Sequence, residues 1–201
     1  MKIEDLMVKN PITVREQTSI REAIDVMKSN SIRHLPVVKA DRTLVGFLTL
    51  SDLKQGLIPS MVADLSLSDL MIRKPVTVGP DTDVEIAAQL IYKRKIGGLP
   101  VVEKGNLVGI ITVTDILGAF INMMGILSAS SRLDAAIDDK PGALKKAIQI
   151  IHDNGGDIIN VAMARKSGRM RTYYFRLTEC DTAPICDALK KEGVVVFNAP
   201  E

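Results

Sequence analysis

The chain is poor in the residues that most active sites are built from. It has no Trp, and aromatics make up only 3% of its 201 residues. A stacking platform for single-stranded nucleic acid therefore has little to be made of. Only two histidines and two cysteines are present. Cys180 and Cys186 are not at the C-x-x-C spacing of zinc or redox sites, so two idle thiols in a reducing compartment are expected. No second His or Cys stands at ligand spacing from His34, which argues against a metal site. Nothing in the sequence marks a nucleophile, a triad or a pair of working acids. The reading is of a protein with no catalytic residues and no metal.

An excess of one charge is also missing. Lys and Arg number 26 against 24 Asp and Glu, a net charge of +2. The stretch from Arg132 onward holds 11 basic and 10 acidic residues, so neither part is a basic block of the kind that grips duplex nucleic acid. The longest nearly apolar run, Leu117 to Leu127, is too short to span a bilayer and contains Asn122. The opening MKIEDLMVKN lacks the apolar centre of a signal peptide. These absences exclude nucleic acid and membrane as expected partners and point to the cytoplasm.

What is present is repetition. GFLTLSD (Gly46–Asp52) returns as GIITVTD (Gly109–Asp115), a shared G-x-x-T-x-x-D. Aligning Met7–Val38 with Met71–Val102 gives 11 identities in 32 positions, and Leu44–Leu53 against Leu107–Ile116 gives 5 in 10. The offset falls from 64 to 63 at a turn, KADRT in one copy and EKGN in the other, where length variation is tolerated. Each copy reads as strand, helix, strand, strand, helix. Thr13-Val14 and Thr77-Val78 follow proline and are expected to be extended. Ile20, Ala23, Ile24 and Met27 form a helical stripe. LPVV and LVGFLTL read as a hairpin. Ser51-Asp52 and Thr114-Asp115 then open a second helix, with Ser51 or Thr114 as its N-cap.

After Leu117 the repeat ends. SASS (Ser128–Ser131) reads as a linker. Next come an alternating strand (Arg132–Asp138), a turn DKPGAL into a helix, a strand after Gly155-Gly156, a turn SGR, a strand from Met170, a short helix from Ala183 and a closing VVVF. That order is βαββαβ. The fold class is α+β throughout.

The duplicated part, residues 1–127 with repeats at about 1–62 and 63–127, resembles a CBS-domain pair, or Bateman module. The likeness is carried by PITV and PVTV, the two LPVV strands and the two G-x-x-T-x-x-D endings. Residues 132–201 resemble an ACT domain, a ferredoxin-like βαββαβ unit, through DKPGAL and GGDIINV. The combination is similar to acetoin-utilisation regulators of the AcuB type. It implies a non-catalytic regulator that binds an adenine nucleotide (AMP, ADP, ATP or S-adenosylmethionine) between its repeats, with no cofactor required.

Carried over residue by residue, the resemblance implies that Asp52 and Asp115 hold ribose, as a carboxylate can accept from both hydroxyls of a 2′,3′-diol. Thr49 and Thr112 assist at ribose or phosphate, Thr13, Val14, Thr77 and Val78 lie near the base, and Arg33 and His34 meet phosphate. Gly46 and Gly109 would let backbone approach the ligand. An acidic residue in a helix's first turn is also favourable with no ligand present. The repeats differ at IRHLPVV against IGGLPVV, so the two sites are expected to be inequivalent. In the ACT part, Asp139, Gly142, Leu144 and Asp157 are the candidate amino-acid site, with Asp157 standing where many relatives have Asn. Expected partners are a second copy, through CBS and ACT surfaces, and a regulated enzyme. The competing reading is a constitutive dimeric scaffold with vestigial clefts.

Overall fold

The computed structural model describes residues 1–55, 65–127 and 129–198. The chain divides into two compact units, Met1–Leu117 and Gly118–Glu201. The boundary expected between the repeats, at residues 62 and 63, lies outside the described residues, as does Ser128 of the expected linker.

In the first unit, strand β1 (Val8–Lys9) follows a 3-10 turn at Ile3–Asp5 and precedes helix α1 (Ile20–Ser29). The α1 start is fixed by a capping box: the Glu22 amide donates to Ser19 Oγ, and the Ser19 amide donates to Glu22 Oε2 at 2.9 Å. Its apolar stripe, Ile20, Ala23, Ile24 and Met27, is buried. Strands β2 (His34–Val38) and β3 (Leu44–Thr49) form the hairpin, and helix α2 (Leu50–Gln55) follows. The second repeat runs through helices α3 (Leu67–Leu70) and α4 (Val84–Arg94), strands β4 (Gly98–Glu103) and β5 (Asn106–Thr112), and helix α5 (Val113–Met123). Both hairpins carry the same one-residue irregularity, after Val37 and after Val101.

The expected first strand of each repeat is a single bridging residue. Val14 bridges Val37 and Val78 bridges Val101, both in parallel sense, and both valines are buried. The leading segments instead cross between repeats. Val8 and Lys9 pair with Ile110 and Gly109 of the second repeat, and Ile3 is buried in that repeat's core. Reciprocally, Ile72 exchanges two backbone hydrogen bonds with Phe47 (2.9 and 3.1 Å), while Leu67 and Met71 are buried in the first repeat's core. Neither repeat completes its core from its own segment, so the pair folds as one body. Fully burying each such side chain is worth about 1.5–3 kcal/mol.

This exchange explains Gly46 and Gly109 without a ligand. A Cβ on Gly46 would lie 2.3 Å from the Met71 Sδ, and one on Gly109 would lie 2.4 Å from the Met7 Sδ. The expectation that these glycines open the backbone to a ligand is corrected: they make room for a methionine from the opposite repeat.

The second unit carries strand β6 (Ser130–Asp138), helix α6 (Ala143–Asp153), strands β7 (Ile158–Ser167) and β8 (Met170–Thr178), helix α7 (Ala183–Lys191) and strand β9 (Val195–Asn198). The sheet order is β7-β8-β6-β9, all neighbours antiparallel, giving the βαββαβ order of a ferredoxin-like unit. Leu133, Ala135, Ile137, Tyr173, Phe175 and Leu177 pack one sheet face against α6 and α7. Ser130 and Ser131, expected in a linker, belong to β6, because each pairs in register with β8 (Thr178 and Leu177). Cys180 and Cys186 are free thiols; burial pushes the Cys186 thiol up.

Candidate functional site

The repeated Thr and Asp meet each other first. Thr49, the last residue of β3, precedes α2, and Asp52 is the third residue of that helix. The Thr49 amide and hydroxyl both donate to Asp52 Oδ2, at 2.8 and 2.7 Å, and the Asp52 amide donates back to Thr49 Oγ1 at 3.3 Å. Thr112 and Asp115 repeat this at 2.8, 2.7 and 3.4 Å. Each T-x-x-D is thus a capping box, and the N-cap is Thr49 or Thr112 rather than Ser51 or Thr114, because each helix starts earlier than the sequence suggests. All four residues are half-buried. Among the described residues the hydrogen bonds to both carboxylates engage Oδ2, which leaves Oδ1 able to accept from a ligand hydroxyl.

A cavity of about 830 Å3 opens beside these caps. Both repeats contribute to it: Thr49, Leu50 and Ser51 from one, Thr112, Val113 and Thr114 from the other. Asp115, Arg33, His34 and Lys54 supply its charged and titratable groups, and Pro11, Ile12 and Ile110 supply apolar wall. Its size is that of a pocket for one drug-sized molecule.

Of the residues named from sequence, the structure therefore gathers Arg33, His34, Thr49, Thr112 and Asp115 around one cavity. Asp52, Thr13, Val14, Thr77 and Val78 are not among its lining residues. Val14 and Val78 are held in the cores by their bridges to the hairpins, and the wall near the leading segment is made by Pro11 and Ile12 instead. Sequence reasoning also missed Lys54, Ser51, Thr114 and Gly97. Ser51 and Thr114 were legible as polar residues beside the repeated Asp. Lys54 was not, because its counterpart in the second repeat is Leu117.

His34 explains the sequence difference between the hairpins. Its ring stacks on Phe47, with centroids 5.8 Å apart and planes at 15°. A Cβ at Gly97 would lie 2.5 Å from His34 Nε2, and one at Gly98 would lie 3.6 Å from Cδ2. Gly97 and Gly98 are the repeat-two counterparts of Arg33 and His34. The glycines thus leave the space that the imidazole fills; they are not merely a flexible turn. Burial lowers the His34 pKa below 6.5, and Arg33 lowers it further, against the opposing pull of Asp115 and Asp52. The ring is neutral at neutral pH.

In the second unit, Asp139 is paired with Lys166 Nζ at 2.7 Å and Arg171 Nε at 3.1 Å. These two bonds hold its carboxyl below the usual carboxylate range. Gly142 sits at φ +84° just before α6, Leu144 packs at the edge of the core, and Asp157 is exposed with its carbonyl accepting from the Thr178 amide at 2.8 Å. Among the described residues no group of three or more His, Cys, Asp or Glu could hold a metal, and no helix is long and apolar enough to cross a membrane.

A family model of the CBS domain matches residues 3–58 and again 67–122. The chain belongs to the CBS-domain family. Its CBS pair is similar to one crystallised in complex with 5-methylthioadenosine and S-adenosyl-L-methionine, at 32% identity and a TM-score of 0.57, covering 61% of this chain and 97% of that one. It is also similar to a Vibrio cholerae protein assigned to acetoin utilization (AcuB), at 34% identity and a TM-score of 0.57, covering 63% of this chain and 94% of that one. A homoserine O-acetyltransferase of Methanocorpusculum labreanum is 37% identical over 107 residues, which are 53% of this chain and 21% of the enzyme. The chain spans about a fifth of the length of such curated relatives. The family match ends at residue 122, before the second unit's sheet begins.

Proposed function

We propose that this CBS protein is a non-catalytic regulator that binds an adenine nucleotide in the cleft between its repeats and relays occupancy to a partner or to its own dimer. The observation that carries the reading is the cavity itself. It places a half-buried carboxylate, bonded through Oδ2 alone among the described residues, with two threonine hydroxyls and two cations around an apolar wall. Those are the groups a ribose diol, a phosphate and a base require. The adenosine ligands of the similar CBS pair support the same class of molecule. Candidate ligands are AMP, ADP, ATP and S-adenosylmethionine.

The second unit is read as an ACT-type module, on its βαββαβ order and its DKPGAL turn. An amino-acid site at Asp139, Gly142, Leu144 and Asp157 belongs to that reading. The ion pairs of Asp139 weigh against a ligand ammonium there, since the carboxylate is already neutralised. Exposed Leu117, Phe120 and Met123 on one stripe of α5 support a homodimer. The likeness to a stretch of much longer enzymes supports a regulated enzyme partner, and the AcuB likeness supports acetoin or acetate metabolism as its setting.

Melting the protein with each of the four candidate ligands tests the central claim. Ligand at about 100 times Kd adds about 2.7 kcal/mol of stability. A shift with any of the four supports the sensor. No shift with any favours the constitutive scaffold, a reading that draws on the caps: both aspartates already serve their own helices.

A further inference from the structure

The two hairpins of the CBS pair are tied to each other at their turns. The Leu107 amide donates to the Arg42 carbonyl at 3.0 Å, the Leu44 amide donates to the Gly105 carbonyl at 3.4 Å, and Thr43 and Asn106 form an antiparallel bridge. Arg42 stands at φ +67° in this junction. Further along the hairpins, the crossed pairings of β1 with β5 and of Ile72 with Phe47 hold the strands.

The opposite ends are held differently. Thr49 and Thr112 end their strands at the cavity, where His34 opens β2 and Gly98 opens β4. Here a side chain stands between the repeats: the His34 ring lies on Phe47 of its own hairpin and against the backbone of Gly97 and Gly98 of the other. The Gly97 carbonyl already accepts from the Val113 amide at 3.0 Å. The seat is thus one of shape, and a residue with a Cβ at position 97 would close it.

Such a seat suits a neutral ring. Arg33 precedes β2, Lys54 lies on α2, and Asp52 and Asp115 stand in the first turns of α2 and α5 around it. Burial weighs most against a charged ring and Arg33 adds to it; the two carboxylates oppose them and do not prevail. A protonated ring gains by moving to water, and the cavity that His34 lines offers it.

We propose that His34 is a proton-operated wedge between the repeats: neutral, it seats against Gly97 and Gly98; protonated, it leaves them for the water of the cavity, and the cleft loosens at that end while the turns stay joined. The device exists once per chain, because the second repeat has a glycine in its place. The seat is filled above pH 6.5 and empties as pH falls through the lower folded value. The inference needs no bound ligand and stands apart from the adenosine reading.

NMR of the full chain without ligand, from about pH 5 to 7.5, tests it. The other histidine, His152, is exposed on α6 in the second unit and serves as an internal reference. His34 is expected to titrate below 6.5. NOEs from its ring to the Gly97 α-protons should be present at the alkaline end and lost on the acid side of that midpoint. NOEs joining Thr43 to Asn106 should persist throughout. The Gly98 amide should shift with the same midpoint, and His34→Gln should abolish that shift. Ring-to-Gly97 NOEs that survive the titration would overturn the proposal, since the proton would then change the charge and not the seat. Loss of the Thr43–Asn106 NOEs together with them would also overturn it, because acid would then loosen the whole pair rather than one end. A His34 midpoint at or above 6.5, or a Gly98 shift that persists in His34→Gln, would do the same.

Discussion

The first repeat and the second agree where the fold requires it and part where the cleft begins. Gly46 receives Met71 and Gly109 receives Met7; the two helix caps match within 0.1 Å. Leu35 and Leu99 are counterparts and both are fully buried. By contrast, Arg33 and His34 have Gly97 and Gly98 as their counterparts, and the His34 ring fills the space beside both glycines. Duplication preserves whatever each copy must do for the other's core. It need not preserve a surface that both copies share, because two imidazoles could not occupy the same space.

Truncation in the two cores should cost the most. Leu35→Ala and Leu99→Ala should each cost about 2–5 kcal/mol, by lost transfer energy and a residual cavity. Urea denaturation should return similar losses for the two. A large difference would mean that the repeats are not energetically equivalent. The glycine pair comes next. Gly46→Ala and Gly109→Ala should each cost about 1–3 kcal/mol, since the buried Met71 or the half-buried Met7 must shift. In a double-mutant cycle, Met71→Ala should soften Gly46→Ala and leave Gly109→Ala unaffected, which would establish the crossed pairing in solution.

The caps predict a smaller and equal effect. Without ligand, Asp52→Ala and Asp115→Ala should each cost about 1 kcal/mol in thermal or urea melts. Unequal losses in the absence of nucleotide would show that one cap carries more of the fold than its bond lengths indicate.

The smallest effect belongs to His34, which has no counterpart. Its folded pKa lies below its ordinary 6.5, so the unfolded chain binds more protons between the two values. Stability is therefore full above pH 6.5 and falls as pH drops through the folded pKa. Comparing wild type with His34→Gln across pH 5 to 7.5 should show this slope in wild type and a shallower one in the variant. NMR titration of Gly97→Ala should find the imidazole, displaced toward water, titrating closer to its ordinary value.

Much of this was legible in advance. The repeat frame, the hairpins, the α1 stripe and the βαββαβ order all follow from period and punctuation along the chain. Arg33, His34, Thr49, Thr112 and Asp115 were identifiable as site candidates because the pattern repeats or fails at those positions. Three things were not legible. Thr13-Val14 reads as a strand by composition, yet one bridge to Val37 is all it makes. Gly46 reads as a ligand glycine and is a methionine's socket. Lys54 sits on the cavity wall with nothing in its spacing to announce it.

By itself, the sequence determined two copies of one unit followed by a different one, since hydrophobic period and turn residues act over a few neighbours and leave their mark in order. Only the tertiary structure decided that Ile3 belongs to the second repeat's core and Leu67 to the first's, and that Asp115 rather than Asp52 faces the cavity. Those outcomes depend on which surfaces meet in space, and a linear pattern holds no record of contacts between residues far apart along the chain.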